Sequence, residues 1–415
     1  MESTVLCREI DSCRICGGGR FDEVFNLGEH ALSGRFPAEG EPDAPRAPLC
    51  VVRCTDCGLI QLKHNFERDA LYRHDYGYRS GINESMRRHL AGLARAIERA
   101  VPLQPGDAVL DIGSNDGTLL RSYAVPNGVM RVGMDPTVAQ FPDAYGDDLI
   151  GVPDYFNAES FARAADGRKA KVVTSIAMFY DLPDPNGFVA AVARSLAPEG
   201  IWVLEQAYLP SMLTLNAFDA ICHEHLEYYA LAQIETVLGR YGLRVFDVAL
   251  NDVNGGSIRV HACHQAAPFT ETPAVAAMRA DEDTFGLATA APYEAFWQRV
   301  AGIRARLVDF LESETAQGRI VFGYGASTKG NTTLQFCGIT RRLIPAVAER
   351  NPAKWGRRLP ATGIPIISEE EARRRQPDYF LAFPWHFRDS FLAREKAFLA
   401  GGGRFIFPMP EFDVV

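Results

Sequence analysis

Four groups of residues in this 415-residue chain carry the donor types that chemistry needs. The first is a pair of Cys-x-x-Cys knuckles, Cys13-Arg14-Ile15-Cys16 and Cys54-Thr55-Asp56-Cys57. Each knuckle puts two thiolates on one turn, and Gly17 and Gly58 let the backbone wrap around a metal. Together Cys13, Cys16, Cys54 and Cys57 predict a closed tetrahedral zinc site, structural in character because no coordination position is left open. Residues 17–53 lie between the pairs, a longer gap than the about 15–20 of a usual ribbon. Four reduced thiols without metal are the plainer alternative. Cys7 and Cys50, near the pairs but out of register, read as ordinary cysteines.

The second group is Val109-Leu110-Asp111-Ile112-Gly113-Ser114-Asn115-Asp116-Gly117-Thr118-Leu119-Leu120. It reads as a buried strand ending in an acidic residue, a tight glycine turn, then a helix. A strand-end carboxylate suits a cation or a hydroxyl. The glycines admit a ligand close to the backbone, and the helix amides face that crevice. The third glycine of a dinucleotide fingerprint is missing. About 20 residues further on, Arg131-Val132-Gly133-Met134-Asp135-Pro136 is a second short strand ending in Asp135, where a doubly wound sheet holds a ribose diol. An N-capped helix after an ordinary strand is the alternative.

The third group is Cys222-His223-Glu224-His225. Its histidines stand at i and i+2, so a helix cannot aim both at one metal as His-Glu-x-x-His does. The residues read as a general base with a carboxylate to orient it, or as a polar pair capping the next helix. Asn254-Gly255-Gly256-Ser257-Ile258-Arg259 is a glycine turn into a strand, with Ser257 and Arg259 available to a substrate. The fourth group is Gly323-Tyr324-Gly325-Ala326-Ser327-Thr328-Lys329-Gly330-Asn331, offering amides, two hydroxyls and a cation to a phosphate. It is no Walker loop, because the Gly-Lys-Ser/Thr order is absent.

These groups need a scaffold, and the chain supplies strand and helix signals in alternation. Strands are predicted at 171–180 and 200–206, with a helix over 186–197 between them. Asp154-Tyr155-Phe156 falls in a loop suited to an adenine. Alternation implies a parallel sheet covered on both faces. Residues 265–295 carry little strand signal, and helical sequence runs on to about Gln317. After the fourth group come strands at 344–349 and 379–387, the latter running into an aromatic loop with Trp385 and His386; these imply a second α/β domain. The length predicts two or three domains. The formal charge of −9, with no basic block, argues against nucleic acid. No run of 18 apolar residues exists, and the charged N-terminus lacks a signal-peptide core, so no membrane partner and a cytoplasmic location are expected. The acidic surface is compatible with a monomer.

With these pieces in order, the chain resembles the zinc-containing, S-adenosylmethionine (SAM)-dependent sugar C-methyltransferases of deoxysugar biosynthesis, the tetronitrose-type C-3′ enzymes in particular. The resemblance runs through the paired Cys-x-x-Cys, Tyr76-Gly77-Tyr78-Arg79-Ser80-Gly81-Ile82-Asn83-Glu84-Ser85-Met86, the glycine loop at 113–117, His223-Glu224-His225, Gly255-Gly256-Ser257-Ile258-Arg259, the 323–330 loop and Pro384-Trp385-His386-Phe387. It implies an α/β protein of three parts: a zinc-binding domain (1–75), a Rossmann-like SAM-binding methyltransferase domain (76–265) and a Rossmann-like substrate domain (266–415). It implies SAM and structural zinc as cofactors and a nucleotide-linked 4-ketosugar, often dTDP-linked, as substrate. His225 is then the base, Glu224 its orienting carboxylate, and Tyr76 faces the reacting sugar or cofactor. Asp111, Gly113, Asn115, Asp116, Asp135 and Phe156 hold SAM. Tyr78, His223, Ser257 and Arg259 face the substrate; Ser327, Lys329 and Asn331 face its diphosphate, with Trp385 and His386 nearby. Two positions depart from the pattern: Cys222 replaces a tyrosine and Asp181 a histidine, which leaves the methylated carbon and the sugar open. An NAD-dependent nucleotide-sugar oxidoreductase or epimerase is the alternative, weakened by the incomplete glycine fingerprint and the lack of a Tyr-x-x-x-Lys pair. A zinc scaffold that binds nucleotides without chemistry is a third reading, opposed by the intact Asp111, Asp135, Glu224 and His225.

Overall fold

The computed structural model describes residues 7–67, 71, 78–146 and 148–415. Tyr76 lies outside the described residues. The chain opens with β1 (Cys7–Glu9), β2 (Phe21–Ala31), β3 (Arg46–Cys54), β4 (Ile60–Leu62) and β5 (His64–Phe66), where β1 pairs with β5. The strands β2, β3 and β4 form an antiparallel meander. Its outer edge is completed by the two-residue β11 (Glu227–Tyr228), so the sheet order is β11-β4-β3-β2. The inner face buries Phe25, Leu49 and Val51. Phe25 packs against Phe296, ring centroids 4.9 Å apart, and stacks on Trp297 of the helix Ala291–Ala316.

The central sheet holds β6 (Ala108–Ile112), β7 (Met130–Met134), β8 (Ile150–Val152), β9 (Ala170–Ile176), β10 (Leu196–Ala207), β12 (Leu243–Asn251) and β13 (Ser257–His264). Its order is β12-β13-β10-β9-β6-β7-β8, parallel except where β13 runs against both neighbours. Every residue of β6 is buried, as expected for a strand covered on both faces. From β6 the chain winds outward to β8, then returns to β9 on the other side of β6. That reversal opens a crevice beyond the carboxyl ends of β6 and β9. The strand predicted at 171–180 stops at Ile176, because Ala177 takes φ +54° and turns the chain into the short 3-10 helix Phe179–Asp181.

The C-terminal sheet is built from β14 (Val321–Tyr324), β15 (Val347–Glu349), β16 (Ile366–Ser368), β17 (Tyr379–Ala382), β18 (Arg404–Phe407) and β19 (Asp413–Val414), in the order β16-β15-β14-β17-β18-β19. It too reverses direction, at β14 and β17. The residues 265–295 that lack strand signal form the helix Pro273–Phe285 and begin the helix Ala291–Ala316. Helix Glu84–Ala100 begins after Asn83. Asn83 does not cap it, because its Oδ1 accepts from the Ser85 hydroxyl at 3.0 Å instead. No helix among the described residues is long and apolar enough to cross a membrane.

Candidate active site

The four knuckle sulfurs lie within 4.8 Å of one another, Cys13–Cys57 at 3.6 Å and Cys16–Cys54 at 3.4 Å. A zinc ion with Zn–S bonds of about 2.3 Å needs sulfurs about 3.8 Å apart, so the set fits a tetrahedral ion. Gly17 and Gly58 have φ of +78° and +75°, the left-handed step that closes each knuckle. Gly17 N donates to Cys13 O and Gly58 N to Cys54 O, both at 2.9 Å. Gln61 Nε2 donates to Cys13 Sγ at 3.2 Å, as befits a thiolate.

A cavity of about 880 Å³ opens beyond the carboxyl ends of the central strands. The N-terminal module contributes Gly34 and Phe36 to its wall, and the C-terminal domain contributes Ser327, Thr328, Lys329 and His386. One end belongs to the glycine loop. Asp111 accepts from Thr174 Oγ1 at 2.6 Å. Burial pushes its carboxyl up to about 7, with the Thr174 hydrogen bond pulling against it. Gly113 has φ +73°, and a Cβ there would come within 3.0 Å of Met178, narrowing the crevice. Asn115, at φ +48°, donates from its backbone to Asp135 Oδ2 at 3.0 Å. Asp135 Oδ1 accepts from Thr137 N and Oγ1. Phe156 lines the wall beside Tyr155 and meets Phe188 edge-on at 5.4 Å. A glycine cradle with two carboxylates and an aromatic wall suits a nucleoside.

At the other end stands His225. Its Nδ1 lies 2.8 Å from the Ala220 carbonyl. A carbonyl only accepts, so Nδ1 carries the proton and the Nε2 lone pair is left to take another. The Tyr180 ring meets the imidazole at 4.4 Å. Burial, then the positive charge of Lys329, lowers His225 to about 4, and His386 is lowered to about 3 by the same two causes. Lys329 Nζ donates to Asn254 O at 2.6 Å. Burial raises the Glu224 carboxyl, and a Cβ on Gly34 would sit 2.4 Å from its Oε1. Cys222 and Asp181 line the same wall. Burial drives the Cys222 thiol far up, and Glu224 and Asp181 push it further.

Tyr78, Ser257 and Ser327 also line the cavity, although the Ser327 hydroxyl accepts from Gly330 N as the cap of its helix. Five residues expected at the site are not among those lining it. Asp116 is buried and accepts from Thr118 Oγ1, Arg79 Nε and Gly81 N, which fastens the 79–81 segment. His223 faces Ala47 O and the edge of Phe66. Arg259 stands directly across the β10–β13 pair from Glu205 and is neutralised there, 2.7 Å away. Asn331 lies on the helix face that meets the N-terminal module and donates to Ser33 O. Trp385 gives its indole N–H to Asp219 at 3.0 Å.

The sequence reading passed over Glu205. It ends β10 as Asp111 ends β6, so the same strand-end carboxylate signal was available. Only 2% exposed, it lines the cavity and accepts from His89, Arg259 and Asn251. Burial alone would raise its pKa; His89 and Arg259 overcome that and hold it below the ordinary value.

Three family models match the chain: a zinc binding domain over residues 13–72, a methyltransferase domain over 83–248 and a C-methyltransferase C-terminal domain over 252–410. The C-methyltransferase NovU of Streptomyces niveus is 36% identical over 414 residues, covering 99% of this chain and 98% of that protein. Among solved structures, the complex of the Haloferax volcanii Trm112 activator with a methyltransferase aligns at 18% identity and a TM-score of 0.36, covering 44% of this chain and 94% of that one. Magnesium protoporphyrin IX methyltransferase of Synechocystis PCC 6803 with bound SAM aligns at 16% and 0.31, covering 43% and 79%. The zinc-binding module, the methyltransferase domain and the end-to-end relationship agree, and they displace the NAD-dependent alternative. The chain belongs to the SAM-dependent C-methyltransferase family.

Proposed function

We propose that the chain methylates a carbon next to the ketone of a nucleotide-linked 4-ketosugar, dTDP-linked in the first instance, in deoxysugar assembly for a natural product, with His225 as the base. The observation that carries the reading is the His225 tautomer: Nδ1 is occupied by the Ala220 carbonyl, and the ring is neutral at pH 7 in the cavity that also holds the glycine loop. A ketone acidifies the neighbouring C–H. Nε2 takes that proton, leaving an enolate whose carbon is the nucleophile. SAM, when bound, supplies an electrophilic methyl group on its sulfonium. Asp111, Gly113, Asn115, Asp135 and Phe156 hold the cofactor, and Lys329 with Ser327 and His386 meets the anionic half of the substrate. A cavity of about 880 Å³ is near the top of the usual range for one small ligand, about 300–1,000 Å³, and suits two side by side. Tyr78 and Ser257 complete the sugar wall. Cys222 and Asp181 beside His225 leave the methylated carbon open. Native mass spectrometry after incubation with SAM and a panel of dTDP- and GDP-linked 4-ketosugars tests the reading. One added methyl with S-adenosylhomocysteine supports it; SAM binding with no sugar methylated across the panel opposes it.

A further inference from the structure

Residues 223 to 228 surround the base, and all except His225 hold on to the N-terminal module. His223 meets Ala47 O at 3.1 Å. Glu224 lies against Gly34. Leu226 O accepts from Leu62 N at 2.8 Å, and β11 pairs Glu227 with Gln61 and Tyr228 with Ile60. One side chain gathers these contacts into the zinc knuckle. Arg14 stands between the ligands Cys13 and Cys16, buried, with its guanidinium under the loop. Nη1 donates to Leu62 O at 2.8 Å, to Gln61 Oε1 at 3.1 Å and to Leu226 O at 3.4 Å. Nη2 donates to His64 O and Asn65 Oδ1, and Nε lies 3.6 Å from Glu227. Gln61 in turn donates to the Cys13 sulfur. The knuckle itself is seated on the methyltransferase domain, where Asn186 Nδ2 donates to Arg14 O at 2.7 Å and Gln233 Nε2 to Cys57 O at 3.1 Å.

From this geometry we propose that Arg14 is a positioning residue: it ties the zinc knuckle to the backbone carbonyl that follows His225 and so aims the imidazole. The inference rests on the reading of His225 as the base. The planar fork matters, because it reaches carbonyls of two strands and the catalytic loop at once, which an ammonium on a flexible stem cannot do. The zinc site then acts at a distance on proton transfer. Its rigid turn fixes where the guanidinium starts, and the guanidinium fixes Leu226.

The test compares zinc-loaded wild-type protein with Arg14→Lys and, separately, Glu227→Gln. Three quantities are read: S-adenosylhomocysteine affinity by calorimetry, amide hydrogen exchange by mass spectrometry, and turnover on whichever 4-ketosugar of the panel above is methylated. Expected are an unchanged affinity, exchange at least about tenfold faster in peptides spanning 222–230 but not 108–116, and kcat lowered about 100-fold at constant KM, the size of a misaimed catalytic group. Exchange and kcat at wild-type levels in Arg14→Lys would overturn the proposal. So would loss of nucleoside binding together with the fold in both variants, which would make the contact a general support. His225→Asn run alongside separates the two claims. If it turns over normally, the base reading falls and takes the proposal with it, however fast 222–230 exchanges. If it is inactive while Arg14→Lys is unaffected, only the proposal falls.

Discussion

Glu205→Gln tests whether the buried carboxylate at the end of β10 holds the cavity together. The substitution keeps the shape and removes the charge. Arg259, with its side chain 17% exposed, then loses its partner across the strand pair, and His89, 16% exposed, loses a 2.5 Å contact. Breaking a buried pair by removing one partner costs about 3–5 kcal/mol. The slight exposure of both partners and the oxygen that glutamine retains put the value at the low end, about 3 kcal/mol. For a domain of this size that is a Tm lower by about 6–12 °C. The cost should also be coupled. Glu205→Gln with Arg259→Gln should be at least about 1 kcal/mol less destabilised than the sum of the single changes. Because His89 anchors the helix whose Met86 and Leu90 line the cavity, S-adenosylhomocysteine affinity should fall with stability. The sign with pH follows from the depressed carboxyl: its stabilisation is present above the ordinary glutamate value and is lost as pH falls through the folded value. Scanning calorimetry with and without the nucleoside, over a series of pH values, reads all four effects. A Tm within 2 °C of wild type (the shift expected of about 0.5–1 kcal/mol), with additive single changes, would refute the argument.

Three further outcomes follow from the site. His225→Asn should lower kcat by roughly 10²–10⁴-fold with nucleoside affinity unchanged in calorimetry. With His225 held at about 4 and active when neutral, kcat/KM should rise through about pH 4 and be level on the acid side by pH 6; a limb at about 6.5, the ordinary histidine value, would contradict the burial argument. Asp116→Asn weakens charge-assisted bonds to Arg79 and Gly81 by about 1 kcal/mol, so S-adenosylhomocysteine should bind about fivefold more weakly, read by calorimetry.

What the sequence disclosed was local. Asp111, Gly113 and Asp135 could be read because a strand, a turn and the next strand lie within thirty residues of one another, and the knuckles because two cysteines on one turn need no distant partner. His225 and Lys329 were legible as chemistry, not as neighbours; the cavity that joins them is made by three separate parts of the chain. The residues that do not line the cavity differ in direction. Arg259 reads as a substrate contact, but the strand register sets it opposite Glu205. Asn331 and His223 are polar residues close to true wall residues, turned the other way by a helix face and a loop. The two residues of β11 carry no strand signal at all, because their pairing with β4 is decided some 165 positions away in the chain.

That pairing bears on how the protein is made. The first 66 residues leave the ribosome long before β11, and longer still before the helix Ala291–Ala316 that covers Phe25. At about 5–20 residues per second, the apolar face of β2 and β3 waits on the order of 10–50 s for its cover. The knuckles can close around zinc at once, since each is a single turn, but the sheet behind them cannot be finished. The nascent N-terminal module therefore keeps an apolar face uncovered until the helix Ala291–Ala316 has been made.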